Sequence, residues 1–215
     1  MKPILIFLAS LVSLSSCAQS TNKTPLKIPL AEVAGPVKGE AMATFAQGCF
    51  WHSEIVFQSL VGVRDAVSGY AGGNDIAPSY EKVSNGETGH AESVQVYYDS
   101  TIISYKTLVA AFFASQDPTQ VNRQGNDVGP QYRSVAFYRN ESEKDIIDAE
   151  IKRLAASGIY TKKIATQVVP FTKFYPAEPY HQEYIAKHPS QSYVQAVSIP
   201  DFIHFKASFK GPFKN

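Results

Sequence analysis

The chain is predicted to fold as α+β, one compact domain with a mixed, mostly antiparallel sheet flanked by helices. Three observations lead there. Its 215 residues are 44% hydrophobic and 18% charged, the balance of an ordinary globular domain. Strand-like runs alternate apolar and polar residues, while other stretches carry apolar residues at helical spacing. The two kinds of segment mix without a strict βαβ rhythm, which argues against a doubly wound parallel sheet.

In chain order, "MKPILIFLASLVSLSSCAQS" comes first: Lys2 precedes an apolar run over 4–14 that is too short to span a bilayer. It ends in Leu14-Ser15-Ser16-Cys17, which resembles the lipobox of bacterial lipoproteins. That resemblance implies a signal peptide over 1–16 and a lipidated Cys17 that anchors the protein in the cell envelope. The implied position faces the periplasm, with the outer membrane favoured because Ala18 is not the aspartate of inner-membrane retention. Residues 17–40, rich in Pro, Lys and Thr, read as a flexible tether. The catalytic domain is placed at 41–215.

Within it, "MATFA" is a strand that turns at Gly48. Phe50, Trp51, Val56, Phe57 and Leu60 then fall at helical spacing, with Gly62 as the stop. "VRDAVSGYAGG" is a strand leaving into a glycine-rich turn. "AESVQVYYD" alternates cleanly, which puts Glu92 on the face of Val94, Val96 and Tyr98: either that end of the strand frays into solvent or Glu92 is a carboxyl held against an apolar surface. Ser104 caps the helix of "YKTLVAAFFAS", and Ser142 with Asp145 reads as a capping box for the helix ending at Gly158. Strands "SVAFY" and "IATQVVP" and two helices, in "HQEYIAKH" and "PDFIHFKASF", complete the body. Long loops over 71–91, 116–133 and 171–181 are of a length that is usually functional or disordered.

Charge excludes some partners. A net charge of +1 gives no electrostatic footprint for nucleic acid. The five histidines show no metal-ligand spacing, so no metal site is expected. Cysteine usage is the informative feature: Cys17 and Cys49 are the only two, and lipidation of Cys17 leaves Cys49 as the sole free thiol. Cys49 stands at the start of a helix, where backbone N–H groups and the dipole lower a thiol pKa. It is a reactive cysteine or a packed structural one, and the aromatic pair after it suits both. The glycine-rich loop "QGNDVGPQYRS" is likewise a functional loop or an Asx-capped turn.

Five segments resolve the choice by resemblance. "GCFWHSE", "SGYAGG", "PSYEKVSNGETGHAESVQVYYD", "DPTQVNRQGNDVGPQYRS" and "FYPAEPYHQEYI" together resemble, in register, the A-type peptide methionine sulfoxide reductases. The resemblance implies a ferredoxin-like core and reduction of the S epimer of methionine sulfoxide in proteins and peptides. It makes Cys49 the nucleophile, Phe50 and Trp51 the pocket for the substrate methyl group, and Glu92 the proton donor. Tyr80 and Tyr132 then hold the sulfoxide oxygen, and Asp127 organises the site. A carboxyl with an ordinary pKa of ~4.3 is protonated in only about one molecule in 500 at pH 7, so Glu92 must be raised by burial.

Relatives with resolving cysteines regenerate through a disulfide, and this chain has no cysteine after Cys49. The sulfenic acid left on Cys49 is therefore expected to be reduced by an external thiol, either a thioredoxin-like or glutaredoxin-like protein or a small thiol, with no bound cofactor and the protein a monomer. His52, at the position where some relatives carry a further cysteine, is expected on the helix surface. Two alternatives from other classes are a cysteine hydrolase and a non-catalytic lipoprotein that binds oxidised methionine segments.

Overall fold

The computed structural model describes residues 37–214. Strand β1 (Ala41–Gln47) runs down the middle of the domain and ends at Gly48. Gly48 adopts φ +92°, and a Cβ there would stand 2.7 Å from the Gln124 Cβ, so only glycine lets the chain turn beneath that side chain. Helix α1 (Phe50–Gln58) follows, then β2 (Val63–Ala71), the short α2 (Tyr80–Ser84), β3 (Ala91–Tyr98) and α3 (Tyr105–Ala114). After the two-residue strands β4 (Arg123–Gln124) and β5 (Asp127–Val128) come β6 (Ser134–Tyr138) and α4 (Glu141–Ala156). Strands β7 (Gln167–Pro170) and β8 (Phe174–Pro176) and helices α5 (Tyr184–Lys187) and α6 (Ile199–Ser208) complete the chain.

The six-stranded sheet has the order β7-β6-β1-β3-β2-β8. All pairs are antiparallel except β6–β7. Its central part, β6-β1-β3-β2, is built from β1-α1-β2-β3-α3-β6 and is the split βαβ arrangement of a ferredoxin-like core. The α+β expectation holds, with β7 and β8 added at the two edges. The alternation in β3 explains the layering: Val94 and Val96 join Phe45, Phe50, Phe57, Leu108 and Phe112 in the main core under the helices. The opposite face carries a smaller cluster of Ala46, Ala71, Ala91, Val135 and Phe137.

Helix ends follow capping chemistry, with one correction. Ser104 caps α3, its hydroxyl accepting from Thr107 N–H at 3.1 Å. For α4 the cap is Asn140, whose Oδ1 accepts from Glu143 N–H at 2.9 Å, while Glu143 accepts from Arg139 N–H at 2.7 Å. The Ser142–Asp145 box expected from the sequence lies inside the helix; asparagine at the preceding turn supplied an equally good cap two residues earlier. The presumed loop over 71–91 holds α2, with Tyr80 as its first residue and Ser79 as its cap, and the loop over 171–181 holds β8. Cys17 and most of the tether lie outside the described residues. Glu40, the last tether residue, is paired with Arg64 at 2.5 Å.

Candidate active site

Strand β1, Gly48 and α1 deliver Cys49 to the head of a helix. Cys49 is the N-cap residue, and the backbone N–H groups of Trp51 and His52 face its sulfur. Phe50, one residue on, is buried, and its N–H donates to Glu92 Oε2 at 3.0 Å. Glu92 sits near the start of β3, opposite Tyr70 of β2, and is only 2% exposed. Burial pushes its pKa from 4.5 to about 8, with the negative charge of Asp127 adding to the rise and the Phe50 N–H opposing it. The side chain is therefore a neutral acid at pH 7, as the resemblance required, and of the two readings of its strand position the buried one holds.

The thiol behaves differently from the sequence expectation. Burial, then the nearby Glu92 carboxyl, holds the Cys49 pKa well above the ordinary thiol range, against the pull of the Trp51 and His52 N–H groups. A helix start lowers a thiol pKa only where desolvation does not outweigh it, and here desolvation wins. At rest, Cys49 keeps its proton.

Around this pair stands an aromatic box. Trp51 stacks on Tyr184, with ring centroids 3.7 Å apart and planes 5° apart. Its Nε1–H donates to His181 Nδ1 at 3.1 Å, which fixes His181 as an acceptor at that atom, and burial lowers the His181 pKa so that the ring stays neutral. The His181 ring packs against Phe50 at 4.9 Å and Tyr80 at 4.4 Å. Burial, then the neighbouring Glu92 carboxyl, raises the pKa of Tyr80 and of Tyr132, keeping both hydroxyls as hydrogen-bond donors. Asp127, on β5, accepts from Tyr193 OH at 2.6 Å, and the same hydroxyl lies beside the Cys49 thiol. All seven of Cys49, Phe50, Trp51, Tyr80, Glu92, Asp127 and Tyr132 are thus brought together. No imidazole among the described residues hydrogen-bonds Cys49, so the pairing a cysteine hydrolase needs is missing.

These positions rest on a second layer. The Gln182 amide bonds to β2 as another strand would: Oε1 accepts from Ser68 N–H at 3.0 Å and Nε2 donates to Ser68 O at 2.9 Å and Ala177 O at 3.0 Å. Glu54 accepts from Glu183 N–H and from Ser68 Oγ, each at 2.9 Å. Glu178 accepts from Tyr70 OH at 2.8 Å and from Tyr80 N–H at 2.9 Å. Together they pin the segment that carries His181 and Tyr184 under Trp51.

Comparison with known proteins gives this constellation its family. A model of peptide methionine sulfoxide reductases matches residues 41–211. The chain belongs to the peptide methionine sulfoxide reductase family. A peptide methionine sulfoxide reductase MsrA of Thermus thermophilus is 47% identical over 171 residues, covering 80% of this chain and 96% of the relative. One from Pasteurella multocida is 45% identical over 168 residues, covering 78% and 95%. Among solved structures, Mxr1 from Saccharomyces cerevisiae in reduced form superposes with a TM-score of 0.67 at 33% identity, covering 75% of this chain and 93% of that one. Methionine sulfoxide reductase A of Corynebacterium diphtheriae gives 0.66 at 33% identity, covering 72% and 78%.

Three partners of this reductase site escaped the sequence reading. His181 and Tyr184 lie in "FYPAEPYHQEYI", a segment without an assigned role, and Tyr193 lies in the C-terminal stretch. A signal existed: His181, Gln182 and Glu183 are polar and contiguous beside the aromatic Tyr184. His52 is the remaining correction. It is buried, not on the surface, because α6 packs over α1, and its Nε2 meets Ser115 O at 3.2 Å.

Proposed function

We propose that Cys49 reduces the S epimer of methionine sulfoxide in proteins and peptides, with Glu92 as the acid. The observation that carries this reading is the buried Glu92 carboxyl, held by the N–H of the residue next to the thiol. The substrate methyl group enters between Phe50 and Trp51, and the sulfoxide oxygen meets Glu92, Tyr80 and Tyr132. With a pKa of about 8, Glu92 is protonated in roughly nine of ten molecules at pH 7. It gives its proton to the oxygen as Cys49 sulfur takes that oxygen over, and the thiol proton replaces the one Glu92 gave up. Methionine and a Cys49 sulfenic acid result. Asp127, through Tyr193, orients the group beside the thiol.

Regeneration falls to an external thiol, since Cys17 and Cys49 are the only cysteines. One thiol displaces water from the sulfenic acid to give a mixed disulfide, and a second releases Cys49 as the thiol. The N-terminal segment supports residence in the cell envelope, with Cys17 lipidated and the domain facing the periplasm. Incorporation of a labelled fatty acid, lost in Cys17→Ala, tests that part. The catalytic reading is tested with separated S and R epimers of a blocked methionine sulfoxide and excess dithiothreitol. Turnover of the S epimer alone, abolished by Cys49→Ala, is the expected result. Turnover that survives Cys49→Ala refutes the assignment, and stoichiometric binding without thiol consumption would favour the non-catalytic binder.

A further inference from the structure

A cleft of about 700 Å³ opens beside Cys49 and runs away from it as a groove along α6. Helix periodicity gives its course. Val197, Asp201, His204 and Ser208 fall at the spacing of one helix face, so α6 and the helical turn before it form a wall from end to end. Ala110, Phe113 and Ala114 of α3 and Glu150, Arg153 and Leu154 of α4 line it at the same spacing. Ten residues of α6 make the groove about 15 Å long. At the thiol end it borders Asp127 and Tyr193 but none of Phe50, Trp51, Tyr80, Glu92 or Tyr132, so it is separate from the space for the methyl group and the oxygen. The buried Phe113 and Leu154 make its floor apolar, and Ala110 and Ala114, partly exposed, are too small to fill it. Its charge is uneven. Asp117, Asp127 and Asp201 gather near the thiol: the Asp117 N–H donates at 3.0 Å to Gln124, the side chain that packs on Gly48, and Asp201 is close enough to His52 for its charge to act on the ring. Glu150 is paired with Arg153 at 2.6 Å, and Lys210 stands past the far end of α6.

Resting on the reductase reading above, we propose that this groove holds the substrate polypeptide on one side of the methionine sulfoxide, and that it selects extended segments with a basic residue next to the sulfoxide and apolar residues beyond. A sulfoxide sulfur carries three groups. The methyl group goes to Phe50 and Trp51, the oxygen to Glu92, Tyr80 and Tyr132, and the third group is the short chain leading to the peptide backbone. The groove begins at the thiol that attacks that sulfur, within reach of so short a chain. An extended polypeptide rises ~3.3 Å per residue, so about 15 Å seats four or five residues. Its side chains alternate in direction, and every second one meets the floor of Phe113 and Leu154. The three carboxylates near the thiol favour Lys or Arg at the first of these residues and disfavour Asp or Glu there.

The test uses the full chain carrying Cys17→Ala, excess dithiothreitol, and the S epimer as a blocked amino acid or as a peptide. One peptide adds Lys-Leu-Ser-Leu on the C-terminal side of the sulfoxide, and the other adds Leu-Ser-Leu-Lys on its N-terminal side. One extension, and not the other, is expected to raise kcat/KM about tenfold, chiefly through KM, the gain from burying one apolar side chain. Ala110→Trp, which fills the groove away from the thiol, should remove that gain and leave the blocked amino acid unchanged. In the parent, Lys next to the sulfoxide should be favoured over Glu by about threefold, as for an exposed ion pair, and Asp201→Lys should erase that preference. The blocked amino acid reports on the fold of each variant, and Asp201→Lys, on the exposed side of α6, decides if Ala110→Trp loses it. No turnover of it by the parent would sink the reductase reading itself. Turnover of it with equal gains from both extensions, no gain from either, a gain untouched by Ala110→Trp, or a Lys preference unchanged by Asp201→Lys overturns the groove assignment.

Discussion

Replacing Glu92 by Gln separates the acid from the scaffold. The amide oxygen still accepts the Phe50 N–H that now reaches Oε2 at 3.0 Å, and the side-chain volume is unchanged, so the fold is kept. The proton to be donated is lost. General acids contribute about 10²–10⁴ in rate, and a fall of that size in the single-turnover burst is expected. Stability moves the other way. The folded pKa of Glu92 is about 8 against an ordinary 4.5, so the folded state holds a proton that the unfolded state has released. The parent's stability is therefore complete below about pH 4.5 and declines until about pH 8. At ~1.4 kcal/mol per pH unit the decline from this residue approaches roughly 5 kcal/mol, with about 3 kcal/mol already lost at pH 7. Gln cannot ionise, so urea unfolding should show the variant gaining on the parent as pH rises from 5 to 8. Glu54, whose pKa burial also raises to about 8, keeps part of the slope in both proteins. A burst rate within twofold of the parent removes Glu92 from proton transfer, and parallel stability profiles refute the buried-acid argument.

Other perturbations have equally definite outcomes. Because burial and Glu92 hold the Cys49 proton, iodoacetamide should alkylate it more slowly at pH 7 than a free cysteine, and above pH 8 the Glu92→Gln variant should react faster than the parent. Gly48→Ala, at φ +92° and against Gln124, should lower unfolding free energy by about 1–3 kcal/mol and show as a reduced Tm. Gln182→Ala strands the Ser68 N–H in the interior, at about 1–3 kcal/mol for the buried unmet group, while the Ser68 carbonyl keeps the Ala177 N–H at 2.9 Å. By loosening His181 under Trp51 it should also raise KM more than it lowers kcat.

The strand pattern was legible because one face of each central strand is buried: the alternation over Glu92 to Tyr98 could take only one register. The face of Glu92 could be placed from that alternation, but whether the strand end is buried, and so whether the pKa rises, is a tertiary property that only the resemblance anticipated. The seven site residues could be named only through five motifs read together, since no local pattern says that Tyr80 and Tyr132 meet a cysteine over thirty residues away. What the sequence hid was competition between forces. A helix start argues for an acidic thiol, but the depth at which α1 is buried is a tertiary property. His52 looked like a surface residue because the packing of α6 over α1 leaves no local trace. The cap of α4 was misplaced because Asn140 and Ser142 are both competent caps, and the first in the chain ended the loop.

A thiol that keeps its proton is a poor target for peroxide, alkylating agents and stray disulfides, all of which react with the thiolate. Cys49 is thus shielded by its own acidity constant, without a lid. In the mechanism proposed above, its nucleophilicity is summoned only when a sulfoxide oxygen arrives to draw a proton from Glu92 and leave a base beside the sulfur. For an enzyme with no second cysteine among the described residues, selectivity and self-protection are one property, set by how the head of α1 packs against the sheet.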